Sequence, residues 1–155
     1  MATLTVTLTE DLTLNGYQQG STNSFTIASI TQVTKKIVSC TNDQDTTIVA
    51  FDSDLHDANS VLDLESTKYI RITNLDGSNT VNLSLQIDTG SDGADHQTTL
   101  QLAAGQSFVL GSPDGTAATS DGDANLDTSL NDIESIEANP TGSAVVQLEV
   151  LVASA

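Results

Sequence analysis

Oxygen-bearing side chains recur at alternate positions of Asp121-Gly122-Asp123-Ala124-Asn125-Leu126-Asp127, and Asp132 stands at the twelfth position of that run. Hard cations want several such donors around one point, so this spacing resembles the start of a calcium loop. Leu126 stands where the sharp turn of such a loop needs glycine, Asp132 stands where it needs a bidentate glutamate, and no helical pattern flanks it. The expectation is therefore a solvated acidic loop, with no metal ligands assigned. His56 and His96 lie in the acidic runs Asp54-Leu55-His56-Asp57 and Asp95-His96-Gln97. Metal ligation or acid–base work is conceivable for such residues, but polar loop residues are mostly exposed, and both are read as solvated. Cys40 is the lone cysteine, which excludes an intramolecular disulfide. At the end of an apolar run it reads as a small core or edge residue. No glycine-flanked serine elbow, phosphate-cradling glycine–lysine loop or paired-cysteine zinc pattern is present. The sequence thus nominates no catalytic, cofactor-binding or metal residues, and a non-enzymatic protein is expected.

Composition narrows the classes further. Formal charge is −17, from 21 acidic residues against Lys35, Lys36, Lys68 and Arg71. Nucleic-acid affinity comes chiefly from Lys and Arg neutralising phosphates, so no nucleic-acid partner and no anionic membrane surface is expected. The acidity reads as a solubility device. Residues 1–5 carry neither a basic region nor an apolar run, so neither a signal peptide nor a transmembrane segment is expected, and synthesis in a cytoplasm follows. Aromatics are 3% and tryptophan is absent, which leaves a core of Val, Ile and Leu. The 22 threonines suit pleated surfaces, because their branched side chains pack well there.

The elements that must position anything here are strands. Ile70 and Ile72 alternate with Tyr69, Arg71 and Thr73, and Val81, Leu83, Leu85 and Ile87 alternate with Asn82, Ser84 and Gln86. Between them, Asn74-Leu75-Asp76-Gly77-Ser78-Asn79 is rich in turn formers, so the two arms read as one hairpin. Residues 3–9 put Leu4, Val6 and Leu8 on one face and threonines on the other. Asn15–Ser21 reads as a polar loop and Phe25-Thr26-Ile27 as a short strand. Further strands are expected at 30–40, where Lys35-Lys36 suits a sheet edge, at 46–51, around Val61–Leu64, at 98–102, at 106–110 and at 144–152. Leu126, Leu130, Ile133 and Ile136 are spaced as one or two amphipathic helical turns, but residues 133–138 fit a strand equally, the strand being preferred among β neighbours. Residues 111–125 read as a long surface loop. Eight to ten short strands with turns every 8–15 residues predict one all-β domain over residues 1–155, an antiparallel β-sandwich of jelly-roll type.

Three stretches carry a family resemblance: residues 68–76 (Lys68 to Asp76), residues 79–83 (Asn79 to Leu83) and residues 102–110 (Leu102 to Leu110). They resemble virion structural proteins of tailed bacteriophages, marine phages in particular. The resemblance implies a small β-sandwich on the outer capsid surface, a decoration or cement protein whose partners are the major capsid protein or other virion proteins. It further implies a homo-oligomer, trimeric by analogy, made in the host cytoplasm and located on the virion. It transfers no site residues. A tail, fibre or adaptor component is the alternative from the same particle. A carbohydrate-binding host-recognition module is the alternative of another class, and it suffers from a shortage of aromatic platforms. Tyr17 is the sole aromatic expected in a loop.

Overall fold

The computed structural model describes residues 1–52, 61–88, 96–118 and 129–155, and in them every regular element is a strand. Thirteen are present: β1 (Ala2–Thr9), β2 (Thr13–Leu14), β3 (Tyr17–Gln18), β4 (Thr22–Ile30), β5 (Gln32–Cys40), β6 (Thr46–Asp52), β7 (Leu62–Asp63), β8 (Thr67–Asn74), β9 (Val81–Ile87), β10 (His96–Leu102), β11 (Ser107–Leu110), β12 (Ile133–Pro140) and β13 (Val146–Ser154). The eight to ten expected strands fall short chiefly because β2 and β3 are two-residue pairings too brief to leave an alternation signal, whereas β7 falls in the step expected at Val61–Leu64. The all-β sandwich itself is as expected.

Two sheets hold the core. One runs β10-β9-β12-β6-β7 and the other β11-β8-β13-β5, and every pairing is antiparallel except β6 with β7. Setting β7 aside, the chain changes sheet at each step from β5 to β13 except between β9 and β10. That is jelly-roll connectivity, eight strands folded as two Greek keys. Alternation explains the layers. Ile70 and Ile72 of β8 and Val146, Leu148, Val150 and Val152 of β13 point inward from one sheet. Val81, Leu83 and Leu85 of β9 and Ile136 of β12 meet them from the other, all in one buried cluster. Cys40 is part of that cluster, the core placement of the two that the sequence allowed. Residues 133–138 are strand, and β13 is central, between β8 and β5.

The expected hairpin at 68–87 is not one. β8 and β9 belong to different sheets, and the segment between them arches from layer to layer. Period-two alternation is identical for two strands side by side and for two strands facing each other across a core, which is why the sequence pattern misassigns it. Buried Asn74 holds the arch. Its Nδ2 donates to the carbonyl oxygens of Asn79 (2.9 Å), Ala103 (3.2 Å) and Leu102 (3.3 Å), while its Oδ1 accepts from Asp76 N–H (3.0 Å). One side chain thus ties the β8–β9 arch to the β10–β11 arch beside it. Asp76 Oδ1 accepts the N–H groups of Asn79 and Ser78, both at 2.7 Å, and these bonds hold its carboxyl below the usual carboxylate range.

Outside the sandwich stands a ribbon. β1 pairs with β4 from Leu4↔Ile27 to Thr9↔Thr22, and the pairing continues through Glu10 N–H to Ser21 O (2.8 Å), Gln19 N–H to Leu12 O (2.7 Å) and the β2–β3 pair. Asn15 (φ 53°) and Gly16 (φ 82°) turn its tip, the conformation that a two-residue hairpin of this hand requires. Gly20 lies against the opposite strand, where a Cβ would come 1.9 Å from the Glu10 carbonyl oxygen. Residues read as a loop plus a three-residue strand are therefore half of one long hairpin. Leu4, Val6 and Ile27 pack its base onto Tyr69, Leu151 and Ala153, on the outward face of the four-stranded sheet.

Candidate functional site

Three surface features emerge from this scaffold. The first is acidic. β6, β9 and β12 bring Asp52, Asp88 and Glu134 to one end of the sandwich, where Glu65, Asp114 and Asp132 join them around a cleft of about 250 Å³ floored by Phe51 and Leu64. Asp132 is committed within the protein. Its Oδ1 accepts Gly115 N–H (2.7 Å), its carbonyl accepts Asp88 N–H (3.0 Å), and Ala117 and Asn131 bridge next to it. These bonds close the base of the long 111–125 stretch. Of the calcium-like run, Asp121, Asp123, Asn125 and Asp127 lie outside the described residues, as does His56. Among the described residues no three His, Cys, Asp or Glu side chains converge as a metal site. His96 opens β10 opposite Ile87, exposed, and does not line the cleft.

The second feature is a polar groove of about 370 Å³ on the outward face of the five-stranded sheet. Asn82, Ser84, Gln97, Thr99, Glu137 and Asn139 line it because they are the outward half of the alternation whose inward half is the core. The side chains are knitted together. Ser84 Oγ donates to Gln97 Oε1 (2.9 Å), Gln86 Nε2 to Ser84 Oγ (3.0 Å) and Glu137 Oε2 (3.2 Å), and Asn139 Nδ2 to Asp45 Oδ1 (2.7 Å). Such a surface offers both donors and acceptors, and no aromatic ring lines it.

The third is an apolar groove of about 460 Å³ between the ribbon and the outward face of the four-stranded sheet. Leu4 to Leu8 and Phe25 line it from the ribbon, and Tyr69, Arg71, Val109 and Leu151 from the sheet. All four cationic residues of the chain belong to this sheet, on β5 and β8. Beside the groove, Glu149 of β13 bonds Arg71 on one neighbouring strand and Lys35 Nζ (2.8 Å) on the other. The Lys35 hydrogen bond, with Arg71 in support, holds the Glu149 carboxyl below the usual range. β5 is an edge strand, as its lysine pair predicts, and both lysines are exposed.

Burial pushes the Cys40 thiol up, against a smaller opposing effect of a hydrogen bond from Thr46, so the inert thiol form holds at neutral pH. Tyr17 is on β3 and not in a loop, and its ring is 73% exposed near the ribbon tip. Sequence reasoning passed over the ribbon as an element, although Asn15-Gly16 between alternating segments is a strong hairpin signal. It passed over Asn74 too, because nothing in a turn-forming asparagine announces three carbonyl partners on two arches. No protein-family model, curated protein or solved structure matches this chain. No helix among the described residues is long and apolar enough to cross a membrane.

Proposed function

We propose that this chain is a non-enzymatic structural protein of a bacteriophage virion, a decoration or cement protein that binds the outer capsid surface and stabilises the shell. The observation that carries the reading is the ribbon. It stands off the sandwich with Leu8, Leu12, Leu14, Tyr17 and Phe25 exposed, a concentration of apolar side chains that suits docking and offers nothing to react with. The resemblance at residues 68–76, 79–83 and 102–110 supports the same reading, with the major capsid protein as the partner. A jelly roll of aliphatic core and acidic exterior stays soluble in a host cytoplasm until a shell is there to receive it. Bound across capsid subunits, it adds contacts that shell opening must break, and it favours the closed shell by mass action. Mixing the purified protein with undecorated capsids and sedimenting them tests this. Co-sedimentation that falls away in Leu12→Ser plus Leu14→Ser is expected, and capsids that pellet without the protein overturn the proposal. Co-sedimentation with isolated tails in place of heads would assign it to the tail, fibre or adaptor class.

The polar groove favours one second reading, a carbohydrate-binding module. Its Asn, Gln, Ser and Glu side chains match the alternating donors and acceptors of a sugar. Glycan binding abolished by Asn82→Ala plus Glu137→Gln would establish it.

A further inference from the structure

Residues 3–9 read Thr-Leu-Thr-Val-Thr-Leu-Thr, the same in both directions about Val6. This run is nearly all of β1, and among the described residues β1 has one hydrogen-bonded neighbour, β4, so its other edge is open. We propose that the open edge of β1 is a homodimer interface, in which β1 of a second copy pairs antiparallel about Val6 and joins two ribbons into the four-stranded sheet β4-β1-β1-β4.

Two observations specify a second copy as the occupant. The palindrome makes β1 its own complement under a two-fold axis. Val6 meets Val6 of the second copy, Leu4 meets Leu8, and Thr5 meets Thr7, so each side chain faces a like partner on the same sheet face. A one-residue slip would break every one of these pairs. Charge is the second observation. Each copy carries −17, yet β1 holds no ionisable side chain, and the groove alongside it is lined by no carboxylate among the described residues and by one cation, Arg71. Two strongly acidic copies can meet here without bringing carboxylates together. The same register sets Glu10 opposite Ala2, not opposite another acid. An open, uncharged, threonine-rich edge without lysine or proline is one that monomeric proteins avoid, because it recruits strands.

Sedimentation equilibrium reads the outcome. The protein is expected at twice its 16.1 kDa chain mass. Thr5→Lys plus Thr7→Lys places lysines opposite lysines, and halves that mass while the melting curve of the sandwich is kept, since both threonines are exposed. Mixing this variant with Thr5→Glu plus Thr7→Glu restores the doubled mass as a heterodimer. A second pair of variants checks the register without charge. Thr5→Cys mixed with Thr7→Cys forms a disulfide-linked dimer under mild oxidation faster than either alone, against a silent background from buried Cys40. A monomeric parent overturns the proposal, as does a trimer, because a two-fold strand pair closes at two copies. So does a dimer indifferent to the lysines, or one whose cysteines link no faster when mixed. None of these readouts involves a capsid, so the proposal stands or falls apart from the function assigned above.

Discussion

The two outward faces of this sandwich are built by the same rule and come out opposite. On the five-stranded sheet the outward residues are Asn82, Ser84, Gln86, Gln97 and Glu137, bonded to one another across strands and open to water. On the four-stranded sheet they include Tyr69, Leu151, Val33, Ile37 and Val109, with one ion-paired trio among them. The inward faces are alike, aliphatic on both sheets. The difference therefore lies in what each outer face must meet. The polar one meets solvent, whereas Tyr69 and Leu151 meet the ribbon, Val109 lines the groove beside it, and Val33 and Ile37 remain exposed. The outward face of a strand tells more about partners than the inward face, because the inward face answers only to the core.

Substitutions can sharpen that contrast, and the shared core sets the upper end of the scale. Leu148→Ala, at a fully buried position of central β13, is expected to cost about 2–5 kcal/mol in urea unfolding, through lost transfer energy plus a cavity. Tyr69→Ala acts on the covered outer face. Losing most of a buried aromatic there costs about 1.5–3 kcal/mol, and the cost falls locally, so protease cleavage within residues 10–21 should rise before the sandwich melts. Asn74→Ala removes the side-chain donor shared by carbonyls of two arches, the Leu102 one in a buried bond, an expected loss of about 1–3 kcal/mol with the strand signal in circular dichroism retained. Glu149→Gln reports on pH. A carboxyl held low by Lys35 and Arg71 contributes stability above its ordinary value, and that contribution is lost as pH falls through the lowered folded-state value. Melting temperature against pH should therefore fall less steeply on the acid side in Glu149→Gln than in the parent, and identical slopes would remove the trio from the account. Gln86→Ala, on the solvated face, is expected to shift stability by no more than about 0.5 kcal/mol, and a larger loss would mean that this face is also covered.

Much of the fold was legible because burial imposes period two on a strand whatever lies around it. Leu4-Thr5-Val6, Ile70-Arg71-Ile72, Val81-Asn82-Leu83 and the run from Val146 to Val152 each display that period, and each is a strand. The lysine pair announced an edge for a related reason, since adjacent residues face opposite ways and no strand centre accommodates two such charges. The ribbon was less legible, because with one sheet neighbour and much of its length in water its pattern is diluted by residues such as Asn23, Ser24 and Ser29. Of the candidate metal run only Asp132 falls among the described residues, and hydrogen bonds within the protein occupy it. The acidic cleft as a whole could not be read from the chain, since its carboxylates are scattered along it from Asp52 to Glu134.

Sequence alone settled that the chain would form strands, which side of each would be apolar, and that the core would be aliphatic, because each of these follows from neighbours two positions apart. Only tertiary structure decided that β8 and β9 face each other instead of lying side by side, that Asn74 would join two arches, and that the ribbon would rest on Tyr69 with the far edge of β1 left open. These are choices among partners distant along the chain. Alternation is blind to them, and packing two sheets against each other is what selects among them.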